Sequence, residues 1–393
     1  MGKKSHRNRA RQINAPKNKK PTGRPPKEPE EEKARIDEAK TAEQKLIHAT
    51  YEEEKKQQRV DEQEVTGAYY SADFVPTPAI FLERSFESLL KQFGDPAFLP
   101  RNEFDKVLLC SFPRSGNTLF RSYMEHVTRI ITGSDCNRSR KLIRELIDLG
   151  MQGEGIVDER VWIVKTHFPE RLGGAQIAVH KCLLVVRNPL DCIVSMYNMI
   201  ATGSHSTGIG ASNYIGPESK RATLNAAGKF QALWEEYVQQ EVEVWREYHA
   251  YWLHKDHKVP VFVVRYEDLL LRPEETLCQV FCFLLNERSV KGTLIEALVQ
   301  RVVHEEGRPQ VYKPRCGKAN ANQDKYSEDM RTFVFFALQD LLKSFGYINN
   351  KNAEYASTNF FRNEDGSDNL DYVPEFVLRN AEAMDVVTSG AFI

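Results

Sequence analysis

The chain has 393 residues, 41% of them hydrophobic, which suffices for one large domain with terminal additions. Its net charge of −1 excludes no partner, because the first 27 residues hold ten Lys or Arg and no acidic residue, whereas residues 350–393 hold eight acidic and three basic residues. Seven irregularly spaced cysteines favour reduced thiols over a disulfide framework, and the longest apolar runs fall far short of the roughly 18 residues that cross a bilayer.

Composition predicts four segments. Residues 1–30 are predicted to be a disordered basic arm and residues 31–85 a charged helical linker with ion pairs one turn apart. Residues 86–349 are predicted to form the folded domain and residues 350–393 an acidic tail. The basic arm can contact nucleic acid or anionic surfaces, although a solvated tail is the simpler interpretation. Reduced cysteines without a secretory signal favour a cytoplasmic location, with a nuclear one through the arm as the alternative.

Four short apolar runs alternate with helical patterns inside the predicted domain. Strands are predicted at residues 104–111, 161–165, 182–187 and 259–265, and a helix at residues 117–132. This alternation is typical of a parallel sheet that is covered on both faces. We therefore predict an α/β protein with a P-loop-like, three-layer fold, in which helices flank a central parallel sheet.

The loop after the first predicted strand reads Ser-Phe-Pro-Arg-Ser-Gly-Asn-Thr from residue 111 to residue 118. The backbone N–H groups at the following helix start, together with the charge of Arg114, favour an anion. A P-loop nucleotide hydrolase has Lys where Asn117 stands here, and a nearby carboxylate that helps to hold Mg²⁺. The candidate partner strand ends instead in Arg187. The loop therefore indicates a phosphate-like group bound without Mg²⁺.

Two further segments end predicted strands at the edge where open α/β sheets bind ligands. Lys165 and His167 are two residues apart on an extended segment, so their side chains project to the same face. One can stabilise charge on a leaving oxygen, and the other can deprotonate an acceptor hydroxyl. Arg187 and Ser195, two turns apart, can hold a second phosphate. The alternative for Arg187 is a structural ion pair with Asp191.

Together these segments resemble the sulfotransferase superfamily over about residues 104–347. Residues 111–118 resemble the family's 5′-phosphosulfate loop, and residues 186–195 resemble its 3′-phosphate segment. Lys165-Thr166-His167 is similar to the lysine and catalytic histidine of the cytosolic branch. Residues 264–269 match a segment whose tyrosine, here Tyr266, lies near the adenosine.

The resemblance implies transfer of a sulfuryl group from 3′-phosphoadenosine 5′-phosphosulfate (PAPS) to a hydroxyl or amine of a small-molecule or glycan acceptor. The reaction would be an in-line displacement without a metal. The resemblance implies catalytic roles for His167, as the base, and for Lys165. It implies donor binding by Arg114, Ser115, Gly116, Asn117, Thr118, Arg187, Ser195, Tyr266, Arg315, Gly317 and Lys318.

The sequence also departs from the cytosolic branch. Arg114 stands where that branch has Lys and carbohydrate-modifying members have Arg, and Leu119 replaces an aromatic residue that stacks on adenine. Residues 313–318 match the family's late Arg-Lys-Gly segment only loosely. The loop and residues 132–134 resemble Golgi-type and WSC-domain-type members. Two alternatives stay open: a P-loop nucleotide kinase or phosphotransferase, and a catalytically silent binding protein with a sulfotransferase fold.

Overall fold

The computed structural model describes residues 68–71, 73–169, 177–205, 207–210, 234–254, 257–305, 321–348 and 373–390. The predicted basic arm, most of the predicted linker and Arg315, Gly317 and Lys318 lie outside these ranges. No helix within the described ranges is long and apolar enough to cross a membrane.

A parallel sheet of five strands forms the centre of the described domain. The strands are β1 (Val107–Ser111), β2 (Gly133–Ser134), β3 (Ile163–Thr166), β4 (Lys181–Val186) and β5 (Val261–Arg265). They lie in the order β2-β3-β1-β4-β5, and every neighbouring pair is parallel. The four predicted strands are thus present, and a two-residue strand is added at one edge.

Ten α-helices connect and cover the strands within the described residues. They are α1 (Pro78–Phe81), α2 (Asn117–Thr128), α3 (Lys141–Asp148), α4 (Pro189–Thr202), α5 (Trp234–Leu253), α6 (Tyr266–Leu271), α7 (Pro273–Leu284), α8 (Leu294–Gln300), α9 (Glu328–Ser344) and α10 (Glu375–Thr388).

Two hydrophobic clusters sandwich the sheet because the side chains of each strand alternate between its faces. In β4, Leu183 and Val185 join one cluster, which α2, α7 and α8 complete. Cys182 and Leu184 join the other cluster, which α4, α5 and α9 complete. The three-layer α/β fold predicted from the sequence is therefore confirmed.

The hydrophobic core begins before residue 86, where the sequence analysis placed the start of the domain. Phe81 at the end of α1 is fully buried, and its ring centroid lies 5.8 Å from that of Phe104 and 6.4 Å from that of Trp162. Composition missed this contact because residues 78–81 form only one apolar turn, next to a strongly charged stretch.

Residues 375–388 form a helix, whereas the sequence analysis described residues 350–393 as an acidic tail. The side-chain amide of Asn380 pairs with edge strand β5: its Oδ1 accepts from the N–H of Val263 at 2.7 Å, and its Nδ2 donates to the carbonyl of Val263 at 2.9 Å. Phe376, Ala383 and Val387 on the same helix are buried. These apolar residues outweigh the acidic composition, because one buried face suffices to dock a helix.

Candidate active site

The loop between β1 and α2 contains two residues in the left-handed region. Gly116, which precedes the helix, has a φ of 102°, and Arg114 has a φ of 68°. A Cβ on residue 116 would lie 2.3 Å from Cδ2 of Tyr266, so this close approach requires glycine. No side chain in the described ranges caps the start of α2. The first N–H groups of the helix, at the positive end of its dipole, therefore point towards an anion site.

Several buried polar atoms around this loop have no hydrogen-bond partner among the described residues. They are Oγ of Ser111, Oγ of Ser115, both amide atoms of Asn117 and Nε of Arg187. Leaving one such atom unpaired costs about 1–3 kcal/mol, and folded proteins rarely keep several together. Most of these atoms are donors, and they fit a ligand that presents phosphate oxygens.

Arg187, directly after β4, is fixed beside the loop. Its Nη1 donates to the carbonyl of Arg114 at 3.0 Å, and its guanidinium carbon lies 4.6 Å from the ring centroid of Tyr266. Asp191 approaches Nη2 at 4.0 Å, so the ion pair that the sequence left open is present. Burial is the largest single effect and disfavours the charge, but Asp191 together with Tyr266, Cys192 and Glu267 outweighs it and raises the pKa of Arg187. The site therefore contains a permanently charged fork.

Ser195, which the sequence analysis assigned to the 3′-phosphate segment, contacts the loop between β1 and α2. Its Oγ accepts a hydrogen bond from Nε of Arg114 at 3.1 Å. His205, to which the sequence analysis gave no role, holds the other end of the same guanidinium, with Nη1 2.8 Å from its Nδ1. The structure therefore joins Ser195 to the predicted 5′-phosphosulfate loop.

His167 follows β3, and the pairing of Thr166 with Cys110 places it beside the end of β1. Its Nδ1 lies 2.8 Å from the carbonyl oxygen of Ser111. Because a carbonyl can only accept, Nδ1 carries the proton, and in the neutral ring Nε2 carries the lone pair. The backbone thus selects the tautomer that a general base requires.

Lys165, the last residue but one of β3, is only 6% exposed. Its Nζ lies 3.0 Å from Sγ of Cys136. Burial disfavours its charge, but Cys136 and Glu154 outweigh this effect and raise the pKa of Lys165. Lys165 is therefore an ammonium at neutral pH.

Glu154 anchors a buried charge network behind Lys165 that the sequence analysis missed. Its carboxylate accepts a hydrogen bond from the guanidinium of Arg121 and another, at 2.5 Å, from Oγ of Ser134. Burial opposes ionisation, but the charges of Arg121 and Lys165 outweigh it and lower the pKa of Glu154. The sequence contained one signal for this site, the two glycines on either side of Glu154. A Cβ on Gly153 would lie 2.1 Å from a backbone carbonyl oxygen, so the chain packs too closely there for a larger residue.

The remaining predicted residues have simple positions. Thr118 is the second residue of α2, and Leu119 is 3% exposed and belongs to the core cluster beneath that helix. Leu119 therefore packs in the interior, in keeping with its difference from an adenine-stacking aromatic residue.

This combination of a parallel sheet, an uncapped helix start and clustered cations defines an α/β protein with a site suited to an anion. Residues 104–306 match the family described as the Sulfotransferase domain, which is more than half of the 393 residues. The chain belongs to this family, as its motifs predicted.

Curated relatives point to one branch of the family. The chain is 28% identical to WSCD family member CG9164 of Drosophila melanogaster over 231 residues, which are 58% of this chain and 62% of that protein. It is 30% identical to WSCD family member AAEL009094 of Aedes aegypti over 183 residues, which are 47% of this chain and 51% of that protein. The resemblance to WSC-domain-type members is confirmed, and the chain spans less than two thirds of these relatives.

Two solved structures match part of this chain. The mouse sulfotransferase SULT7A1 complexed with PAP is 14% identical, with a TM-score of 0.35, and the match covers 61% of this chain and 84% of that one. Retinol dehydratase in complex with androsterone and inactive cofactor PAP is 16% identical, with a TM-score of 0.33, and the match covers 61% of this chain and 80% of that one.

Proposed function

We propose that the chain is a PAPS-dependent sulfotransferase that acts on a hydroxyl or amine acceptor. The observation that carries the proposal is the set of buried, unpartnered polar atoms around the start of α2, with Arg114 and Arg187 beside them. Membership of the sulfotransferase family supports the class of reaction. When bound, PAPS supplies an activated sulfuryl group, and transfer breaks the bond between its sulfur and the 5′-phosphate oxygen.

The residues around the loop suit the two ends of such a donor. The N–H groups of residues 116–118, the hydroxyl of Ser115 and the amide of Asn117 would hold the 5′-phosphosulfate, whereas the N–H of Ser115 donates to the carbonyl of Phe112 at 3.2 Å. Arg187 would hold the 3′-phosphate, for which a guanidinium fork is well suited. The ring of Tyr266, in contact with both Gly116 and Arg187, would line the space between them.

The chemical roles follow from the tautomer and the charges. His167 would accept the acceptor's proton on Nε2 as the new bond to sulfur forms, while Nδ1–H stays on the carbonyl of Ser111. Lys165 and Arg114 would stabilise the negative charge that develops on the departing phosphate oxygen.

Two alternatives are less well supported. A Mg²⁺-dependent kinase needs a carboxylate near the loop that is available to the metal. Here both strands that flank β1 carry a cation at this edge, Lys165 as the last residue but one of β3 and Arg187 directly after β4. The nearby carboxylates have other partners: Asp191 faces Arg187 at 4.0 Å, and Asp135 accepts a hydrogen bond from Thr166. A catalytically silent binding protein has no need of a histidine fixed in the tautomer of a base.

Ligand-induced stabilisation of the full chain separates donor binding from kinase-type binding. Adenosine 3′,5′-bisphosphate in EDTA, at 100 times its Kd, is expected to raise the free energy of unfolding by about 2.7 kcal/mol. ATP with Mg²⁺ is the comparison. Stabilisation by ATP–Mg²⁺ alone would refute the proposed donor and favour the kinase.

Transfer of radiolabelled sulfate from PAPS to phenols, sterols, amines and glycans then tests activity. Labelling of at least one acceptor class is expected, and donor binding without transfer to any of them would support the silent binding protein. The cytoplasmic location stays a prediction. The contacts of the basic arm also stay a prediction, because the arm lies outside the described residues.

A further inference from the structure

Four contacts of the Arg114 guanidinium come from one part of the chain. Nε donates to Oγ of Ser195 at 3.1 Å, and Nη1 lies 3.9 Å from Sδ of Met199. Nη1 also lies 2.8 Å from Nδ1 of His205, and Nη2 donates to the carbonyl of His205 at 3.0 Å. The residues that make these contacts belong to α4 and the turn after it. The orientation of Arg114 is therefore set by a different element from the loop that carries it.

The partners of His205 determine its protonation state. A guanidinium has no acceptor, so Nδ1 must accept from Arg114 and cannot carry a proton. Nε2 lies 3.0 Å from the carbonyl of Leu142 in α3 and must donate to it. The ring is therefore neutral, with its proton on Nε2, and it bridges α3 to the loop.

Charged groups on three sides act on this ring. Burial and the charge of Arg114 lower the pKa of His205, and Lys165 in β3 acts in the same direction. Glu145 in α3 and the hydrogen bond to Leu142 oppose them without reversing the shift. Neutral His205 thus prevails down to a lower pH than for a histidine in water.

We propose that His205 is a positioning residue of the donor site, which orients Arg114 through its neutral Nδ1 while its backbone carbonyl holds the neighbouring nitrogen. The inference rests on the proposed function, in which Arg114 contacts the donor. Protonation of His205 would remove the acceptor and place a second cation against Arg114, so the orientation would be lost in acid.

A double-mutant cycle on the full chain, read by calorimetric binding of adenosine 3′,5′-bisphosphate, tests the positioning. At pH 7.5, His205→Ala is expected to weaken binding about tenfold in the parent, as for loss of one charge-assisted hydrogen bond. In an Arg114→Ala background the same change should weaken binding less than about twofold, because nothing remains to be oriented. His304→Ala, which alters a histidine whose side chain is 61% exposed, is the matched control and should have no effect.

The conservative variant His205→Gln gives a second test, through the pH dependence of adenosine 3′,5′-bisphosphate binding. Its amide can accept from Arg114 and donate to Leu142, but it does not titrate. It should bind within about threefold of the parent at pH 7.5. Because the pKa of His205 is lowered from 6.5, the advantage of the parent over His205→Ala should shrink only as the pH falls below 6.5, whereas that of His205→Gln should persist.

The outcomes are distinguishable. Equal weakening by His205→Ala in both backgrounds would show that the histidine merely supports the local fold and would overturn the inference. No effect of His205→Ala in the parent would overturn it as well. Failure of the parent itself to bind adenosine 3′,5′-bisphosphate would count against the proposed function.

Discussion

The ring of Tyr266 packs directly against the backbone of Gly116, so that the first residue of α6 and the residue before α2 form one continuous wall. The centroid of the same ring also lies 4.6 Å from the guanidinium carbon of Arg187. A single aromatic side chain thus spaces the two predicted phosphate segments.

Gly116→Ala is expected to destroy donor binding. The added methyl group would overlap the Tyr266 ring in a backbone with a φ of 102°, so the loop must move. We expect a loss of about 2–4 kcal/mol in the free energy of unfolding, from strain and overpacking together. Urea unfolding and binding of adenosine 3′,5′-bisphosphate measure the two effects.

Gly390→Ala is the matched control, since it also has a positive φ, of 67°, but nothing within 4 Å of the added carbon. It should cost only about 1 kcal/mol and leave binding intact. Equal losses in the two variants would mean that the contact with Tyr266 has no special effect.

His167→Ala is expected to lower the rate of sulfate transfer by about 10²–10⁴-fold, because a positioned general base is removed. Donor binding should stay within about twofold, since the N–H groups that would hold the anion belong to the loop and α2. Transfer assays and calorimetry measure the two effects. His126→Ala is a suitable control because its ring nitrogen also bonds a backbone carbonyl, of Ser122, at 2.8 Å. A fully active His167→Ala variant would remove His167 from the mechanism.

Glu154→Gln is expected to destabilise the protein by about 3–5 kcal/mol, because it removes the carboxylate that contributes most to keeping buried Arg121 charged and that also favours the charge of Lys165. Urea unfolding measures the change. Glu243→Gln removes one partner of an ion pair with Arg246 on the surface of α5, and should change stability by less than about 0.5 kcal/mol. Comparable small effects of both substitutions would show that the buried network is not an ionic one.

His249 is expected to make the protein sensitive to acid. Burial lowers the pKa of this fully buried histidine from 6.5 to about 3. Above pH 6.5 the folded and unfolded states are both neutral at this position, so the full stability is present. As the pH falls towards 3, only the unfolded state binds the proton, and stability falls by about 1.4 kcal/mol per pH unit.

The substitution His249→Phe isolates this effect. Between about pH 6.5 and pH 4.5, the midpoint of urea unfolding should fall less steeply in this variant than in the parent, because phenylalanine binds no proton. Trp245→Phe changes the neighbouring ring, whose centroid lies 3.9 Å from that of His249, without removing a titratable group, and it should leave the slope of the parent unchanged. An unaltered slope in His249→Phe would assign the acid sensitivity to other groups.

The sequence by itself determined the α/β architecture, four of the five strands, the loop from Ser111 to Thr118 and the family. These features are local: an apolar run predicts a strand, and a motif keeps its residues on one turn. The tertiary structure alone decided which side chains meet. Ser195 and His205 contact Arg114, although they lie 81 and 91 residues away in the sequence. Glu154 lies close enough to Arg121 and Lys165 for their charges to lower its pKa. No short-range pattern encodes such contacts, because they depend on the order of the strands and on how the helices pack on the sheet.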